Sequence, residues 1–195
     1  INANGGAGAI VGAGSRASDT YSMKGTTVMF DIDKILKVGG AESYGGNPNP
    51  AGPPGKNSTY VIDISGGYGS TASVSSAGPL AFGRTMHNST VLPNGEVLVT
   101  GGLDHAEVFT DTGARLSAEI YNPTANTWRT VAGMSTPRTY HSVAILMTDG
   151  RVFVGGGGLC DSNLYNNCND WMNAEIYSPP YLFNASGNLA ARPTI

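Results

Sequence analysis

A repeat constrains this chain more than any other feature. Arg84-Thr85-Met86-His87 is matched by Arg138-Thr139-Tyr140-His141, and the Gly101-Gly102 pair by Gly155-Gly156; the arginines lie 54 residues apart, as do the first glycines of the two pairs. Each copy reads as a strand, a short turn (Asn94-Gly95 or Asp149-Gly150), and a second strand ending in glycines. Asn-Gly and Asp-Gly are favoured in two-residue type I′ hairpin turns, where both central residues need positive φ, so that turn is expected twice. A third strand follows in each copy, Ala118-Glu119-Ile120-Tyr121 and Ala174-Glu175-Ile176-Tyr177, and a fourth is expected around Asn126 to Val131. A fainter earlier copy runs through Met23 to Asp31, Lys34 to Gly40 and Tyr60 to Ile64. Four strands per unit of about 50 residues, with a glycine pair and a late Trp, is the kelch pattern of a propeller blade. The fold class expected is all-β: a kelch-type, seven-bladed β-propeller of which this chain supplies about three to four blades.

Composition agrees. With 28 Gly and 11 Pro in 195 residues, and only 13% charged, a helical bundle or coiled coil is excluded. The 40% apolar content is enough for a core. A net charge of −3 without a Lys/Arg cluster argues against a nucleic-acid partner. No window approaches 18 apolar residues, so no membrane span is expected. The chain opens on Ile1 with a Gly/Ala-rich run to Gly14 that lacks signal-peptide features, and it stops in Arg192-Pro193-Thr194-Ile195. It reads as an internal piece of a longer protein. An open part-ring exposes an apolar blade face, so the expected partner is the remainder of the same protein.

The repeat also sorts the candidate chemistry. His87 reads as a packing histidine between blades, its ring nitrogens hydrogen-bonded to backbone. His141 alone would read the same way, but its neighbour is Tyr140. Neighbours on a strand face opposite sides, so the two can share one metal only where the backbone leaves regular strand geometry, as at the axial start of a first strand. Cys160 and Cys168 have no further Cys or His nearby, which disfavours a metal site; in a secreted protein they would form a short-loop disulfide. Asn57, Asn88 and Asn184 head N-x-S/T sequons, the glycosylation candidates of an extracellular route. Asp31, Asp33 and Asp63 lack calcium-loop spacing. Trp128, Trp171, Tyr121 and Tyr177 read as packing aromatics.

Arg138-Thr139-Tyr140-His141-Ser142, then Asp149-Gly150-Arg151-Val152-Phe153, then Gly155-Gly156-Gly157-Gly158-Leu159-Cys160 resembles the copper radical oxidases, in particular their galactose oxidase branch. Ala174 to Phe183 and Gly187 to Pro193 extend the likeness, which is close from Phe82 onward and loose before Gly40. The resemblance implies a secreted enzyme that oxidises primary alcohols to aldehydes with O2, producing H2O2. It implies one copper ion and a Cys-Tyr crosslinked radical cofactor. Tyr140 matches the axial tyrosine that takes the alcohol proton, and His141 one equatorial copper ligand. Because no Cys lies upstream of Cys160, the crosslinked pair is expected outside this segment. The second His ligand is expected in a C-terminal β domain beyond Ile195, with residues 1–185 a partial propeller and 186–195 the start of the connection to that domain.

The likeness also implies a substrate pocket. Arg16 matches an Arg that binds sugar hydroxyls, Phe109 an aromatic pocket wall and Tyr44 a Tyr near the copper, while Cys160 and Cys168 match a disulfide of the galactose oxidase branch. The plainer alternatives are a solvated Arg16 and a Phe109 packed in its loop. Gly45 departs from the pattern: the galactose oxidase branch has a sugar-binding Gln there. Losing that hydrogen bond, worth about 0.5–1.5 kcal/mol, points to a wider range of galactosides, aryl or aliphatic alcohols. Two alternatives stand beside this: aldehyde oxidation of the glyoxal oxidase type, and a non-catalytic kelch module that binds a protein or glycan.

Overall fold

The computed structural model describes residues 9–16, 18–19, 22–43, 52–158 and 168–191. Their strands form three antiparallel sheets. The first is β1 (Thr26–Asp31), β2 (Lys34–Val38), β3 (Thr59–Asp63) and β4 (Ser73–Ser76), in that spatial order. The second is β5 (Thr85–Val91), β6 (Val97–Leu103), β7 (Ala118–Asn122) and β8 (Thr127–Val131). The third places β10 (Val152–Gly156) between β9 (Ser142–Leu146) and β11 (Ala174–Tyr177). The sheets are the repeat units expected of a kelch propeller. No helix among the described residues is long and apolar enough to cross a membrane.

β4 is the strand the sequence did not announce, because Ser73-Val74-Ser75-Ser76 has a single apolar residue and no pattern to read. The hairpin turns also differ from expectation. Leu92 N donates to Glu96 O at 2.8 Å and Gly95 N to Leu92 O at 2.9 Å, enclosing a three-residue loop, Pro93-Asn94-Gly95. Only Gly95 has positive φ, 81°. In a two-residue turn centred on Asn94-Gly95, Pro93 would have to donate a backbone N–H to Glu96, and Pro has none, so the chain takes the three-residue alternative with Gly in the left-handed position. Met147 to Arg151 repeats this geometry around Gly150.

Apolar residues from facing sheets fill the spaces between blades. Leu36, Val38, Val97, Val99 and Tyr121 form the core between the first and second, with Trp128 packed against it. Trp128 also donates its indole N–H to Ala77 O at 3.0 Å. Leu98, Ala118, Ile120, Val152 and Val154 form the core between the second and third. The outer faces are uncovered: Ile145 and Ile176 in the third sheet are 56% and 43% exposed, and Met29 in the first is 57% exposed. Each is an apolar surface of the kind a further blade covers.

A buried arginine ties each of the second and third blades together. Arg84, fully buried, donates to Glu119 at 2.6 Å and to the carbonyls of Gly101 and Ser117 at 3.0 Å each. Glu119 also accepts from the backbone N–H of Ala81 at 2.7 Å. In the third blade Arg138 donates to Gly156 O and Asn173, while Glu175 accepts from Ser135 N and Thr136 N. Replacing Glu119 with Ala strands a buried guanidinium, so chemical denaturation of the complete protein should show a loss of about 3–5 kcal/mol. Breaking the part-exposed Arg129–Glu96 pair with Arg129→Ala should cost about 1 kcal/mol or less.

Candidate functional site

The first strands of the sheets lie side by side, β1 against β5 and β5 against β9. Side chains stitch them: Thr26 Oγ1 meets Ser89 Oγ at 2.5 Å, and Asn88 donates to Ser142 Oγ at 3.0 Å. The starts of these strands converge, with Met86 N donating to Lys24 O at 2.8 Å and the Lys24 ammonium 5.4 Å from the centre of the Tyr140 ring. Burial pushes the Lys24 ammonium down to about 8.

The backbone at this point is unusual. Lys24, Met86 and His141 have φ of 55°, 56° and 67°, and Phe109, on the loop between β6 and β7, has 58°. Four of the six non-glycine residues with positive φ among the described residues therefore gather at one place. Each left-handed non-glycine residue costs on the order of 1–2 kcal/mol, and such strain concentrates at functional sites.

The repeat register shifts here. His87 pairs with Gly101 across β5 and β6, but the residue paired with Gly156 across β9 and β10 is Ser142. The constant spacing of 54 thus fails from β9 onward and becomes 55, because the third blade holds one more residue between Arg138 and Ser142. His141 is the structural counterpart of Met86 rather than of His87. The extra residue closes a turn, with Ser142 N donating to Thr139 O at 3.1 Å, and Tyr140 and His141 occupy its two central positions.

That turn releases both side chains to one side. Their ring centres lie 3.7 Å apart at a 33° tilt, where a regular strand would have sent them to opposite faces. Phe109 stands edge-on to Tyr140 at 5.3 Å and 6.3 Å from His141. His141 Nδ1 faces Gly158 O at 3.3 Å, which leaves Nε2 as the nitrogen able to bind a metal. His141 is exposed and Tyr140 half-buried. Among the described residues no three His, Cys, Asp or Glu converge as a metal cage. Tyr140 and His141 supply two donors, an imidazole nitrogen and a phenol oxygen, which suit part of a copper(II) site.

The other candidates are placed as follows. His87 is 4% exposed, with Nε2 against Thr26 Oγ1 at 3.0 Å. Burial, reinforced by the charges of Arg84 and Lys37, pushes its pKa down to about 3, so it packs as a neutral imidazole. Arg16 is exposed on the segment before β1 and hydrogen-bonds Ser22, two residues from Lys24. Trp171 donates to Asp111 at 3.0 Å. Tyr44, Gly45 and Cys160 lie outside the described residues; Cys168 lies within them. The role of Asp111 and the gathering of positive φ residues were not read from sequence, since neither carries a spacing signal.

A family profile described as glyoxal oxidase N-terminus matches residues 72–181, more than half of the chain. The chain belongs to the copper radical oxidase family. A galactose oxidase of Gibberella zeae is 36% identical over 194 residues, 97% of this chain and 27% of that protein. An aldehyde oxidase of Arabidopsis thaliana is 32% identical over 119 residues, 56% of this chain. A solved fungal alcohol oxidase of the AA5 family, in complex with copper, superposes with a TM-score of 0.84 at 33% identity, covering 94% of this chain and 37% of that one. The chain spans about a quarter of the length of the galactose oxidase it matches.

Within this family segment, the loop that carries Phe109 also holds His105, whose ring lies 2.5 Å from Asp104 and 2.9 Å from Glu107. Burial opposes its charge, but the hydrogen bonds and charges of the two carboxylates outweigh this and raise its pKa. The clamp contributes fully below the ordinary histidine value and is lost as pH rises through the higher folded value. In the complete protein, His105→Gln should therefore lower the melting temperature at pH 5.5 and leave it nearly unchanged at pH 9. The sequons also separate. Asn88 is engaged between β5 and β9, whereas Asn57 and Asn184 are exposed. Peptide mass spectrometry of protein from a secretory host should find glycan at Asn57 or Asn184 and none at Asn88.

Proposed function

We propose that the complete protein is a secreted, copper-dependent alcohol oxidase that converts primary alcohols to aldehydes with O2 as acceptor and releases H2O2. The observation that carries this reading is the Tyr140–His141 turn, whose stacked donors face Phe109 at the start of the inner strands. It is supported by likeness to a galactose oxidase and to a copper-bound alcohol oxidase.

His141 Nε2 and the Tyr140 phenol oxygen would hold one copper ion, together with donors from the rest of the protein. Copper, when bound, supplies Lewis acidity that makes the alcohol hydroxyl more acidic, and one of the two oxidising equivalents. The second equivalent would be supplied by a Cys-Tyr crosslinked radical cofactor held outside this segment. Tyr140 accepts the hydroxyl proton, acting as general base. The Gly158 carbonyl keeps the His141 ring oriented by receiving its Nδ1 proton. Phe109 walls the pocket and keeps water from the reacting carbon. Two electrons and two protons leave the alcohol as it becomes aldehyde, and both pairs reach O2 to give H2O2.

Galactosides, aryl alcohols and aliphatic alcohols form the proposed substrate range, with Arg16 and Tyr44 lining the pocket and Cys160–Cys168 as a structural disulfide. A second reading, aldehyde oxidation, is favoured by the glyoxal oxidase profile and the plant aldehyde oxidase.

Oxygen uptake by the copper-loaded complete protein on galactose, raffinose, benzyl alcohol, butanol and methylglyoxal separates these readings. Turnover of several alcohols is expected. A clear preference for free galactose would overturn the broad range, and turnover of methylglyoxal alone would favour the second reading. Tyr140→Phe should bind copper and lose about 10²–10⁴-fold in kcat; wild-type turnover by that variant, or copper uptake without oxidation of any substrate, would remove Tyr140 from the mechanism or leave a binding module.

A further inference from the structure

Asp111 lies two residues beyond Phe109, on the long connection between β6 and β7. One of its oxygens, Oδ2, accepts three hydrogen bonds from the next blade: Asn169 N at 3.1 Å, Asn169 Nδ2 at 3.2 Å and Trp171 Nε1 at 3.0 Å. Its other oxygen, Oδ1, is buried without a hydrogen-bond partner among the described residues. A single carboxylate thus spans from the second blade to the segment that leads into β11 of the third.

The far side of that segment reaches the candidate ligand. Between Asn169 and Trp171 sits Asp170, whose Cα and carboxylate pack so closely on Gly158 that a Cβ there would collide with them. Gly158 has φ of 117°, and its carbonyl accepts the hydrogen bond that orients His141 Nδ1. The Trp171 ring meanwhile packs near Gly157. The near side of the link reaches the pocket wall, since Phe109 faces both Tyr140 and His141.

We propose that Asp111 is a positioning residue. It clamps the Phe109 loop to the Asn169–Trp171 segment, so that the pocket wall and the carbonyl that orients His141 hold a fixed separation. The clamp itself is a feature of these residues alone, while its consequence for turnover rests on the alcohol oxidase reading above. A charged acceptor receiving three donors forms a stiff joint, because hydrogen bonds to an ionised group are stronger than neutral ones. Among the described residues neither partner loop carries a strand at this point, and the single bridges Pro54–His105 and Leu103–Ala114 hold the Phe109 loop only near its ends. Small displacements of a positioning element alter the orientation of substrate against the reacting groups and so cost rate or affinity without unfolding the protein.

The test uses the complete, copper-loaded protein with Asp111→Asn, Asp111→Ala and Trp171→Phe. Hydrogen exchange is read across residues 104–111 and 168–173, copper(II) electron paramagnetic resonance reports the metal environment, and KM and kcat are measured on the best alcohol. Asp111→Ala is expected to raise exchange about tenfold or more in both segments and to leave the remaining blades protected. It is also expected to broaden or shift the copper signal, and to raise KM about tenfold with a smaller change in kcat. Trp171→Phe, which removes one of the three donors, is expected to fall between wild type and Asp111→Ala, and Asp111→Asn to recover part of the loss.

Exchange and copper signal unchanged in Asp111→Ala would overturn the proposal, as would a uniform loss of protection across all blades, which marks a general structural role. If the wild-type protein oxidises no substrate, the alcohol oxidase reading fails, and the exchange and resonance measurements still decide whether Asp111 is the clamp.

Discussion

The second and third blades each join the preceding blade through the arginine that comes before their first strand. Arg84 sends its side chain inward to Glu119 and to the carbonyls of its own blade, while its backbone carbonyl accepts the Gly40 N–H of the preceding blade at 2.9 Å. Arg138 repeats the arrangement, accepting Gly102 N at 2.8 Å. The contact is so close that a Cβ on Gly101 would strike the Arg138 carbonyl oxygen, and one on Gly39 the Arg84 carbonyl oxygen. Glycine pairs and buried arginines are therefore two halves of one joint: the glycines admit the neighbouring backbone, and the arginine holds that backbone against its own sheet. The apolar cores between blades form around positions this joint has set.

The candidate site exploits a local departure from that regularity. With Arg138 anchored and Ser142 paired to Gly156, the third blade has one residue too many for a continuous strand start. The surplus is taken up as a turn, and the turn puts an imidazole and a phenol on the same side of the backbone. The cost is a left-handed His141, borne by the packing of the third blade against the second. Phe109 joins from the second blade because the joint fixes the loop after β6 against the start of β9. The proposed substrate wall and metal donors thus come from different blades and depend on how the blades dock.

Much of the architecture was legible in the residues. The third strands were visible as Ala-Glu-Ile-Tyr in both copies, and the late Trp128 marked the end of a blade. β4 was invisible because serine-rich segments pair in a sheet without an alternating apolar face to reveal them. The hairpins differ from the two-residue expectation: at the first, Pro93 lacks the N–H that a two-residue turn needs from the flanking residue, and the second takes the same three-residue form without a Pro, since Gly in the left-handed position serves both turn types. The repeated Arg and Glu stood in plain sight, but a charged pair reads as surface until its burial is known. For the site, the adjacent Tyr140 and His141 were legible, together with the requirement that the strand be broken there. His141 is offset by one residue from the His87 position; the hairpin glycines Gly95 and Gly150, 55 apart, carry the sign of an added residue, which the arginines and the first of the four glycines, 54 apart, conceal.

By itself the sequence determined the blade unit, its strand order, the positions needing glycine and the residue types able to bind copper, because these follow from periodicity, conformational preference and donor chemistry over short stretches of chain. Only the tertiary structure decided which arginine meets which glutamate, where the surplus residue goes, and that Phe109 and Asp111 stand beside Tyr140 and His141. Those facts depend on backbone register and on contacts between residues some 30 to 60 positions apart, as from Phe109 to Tyr140 and from Asp111 to Trp171. Such contacts are fixed by how blades pack, and no local pattern encodes them.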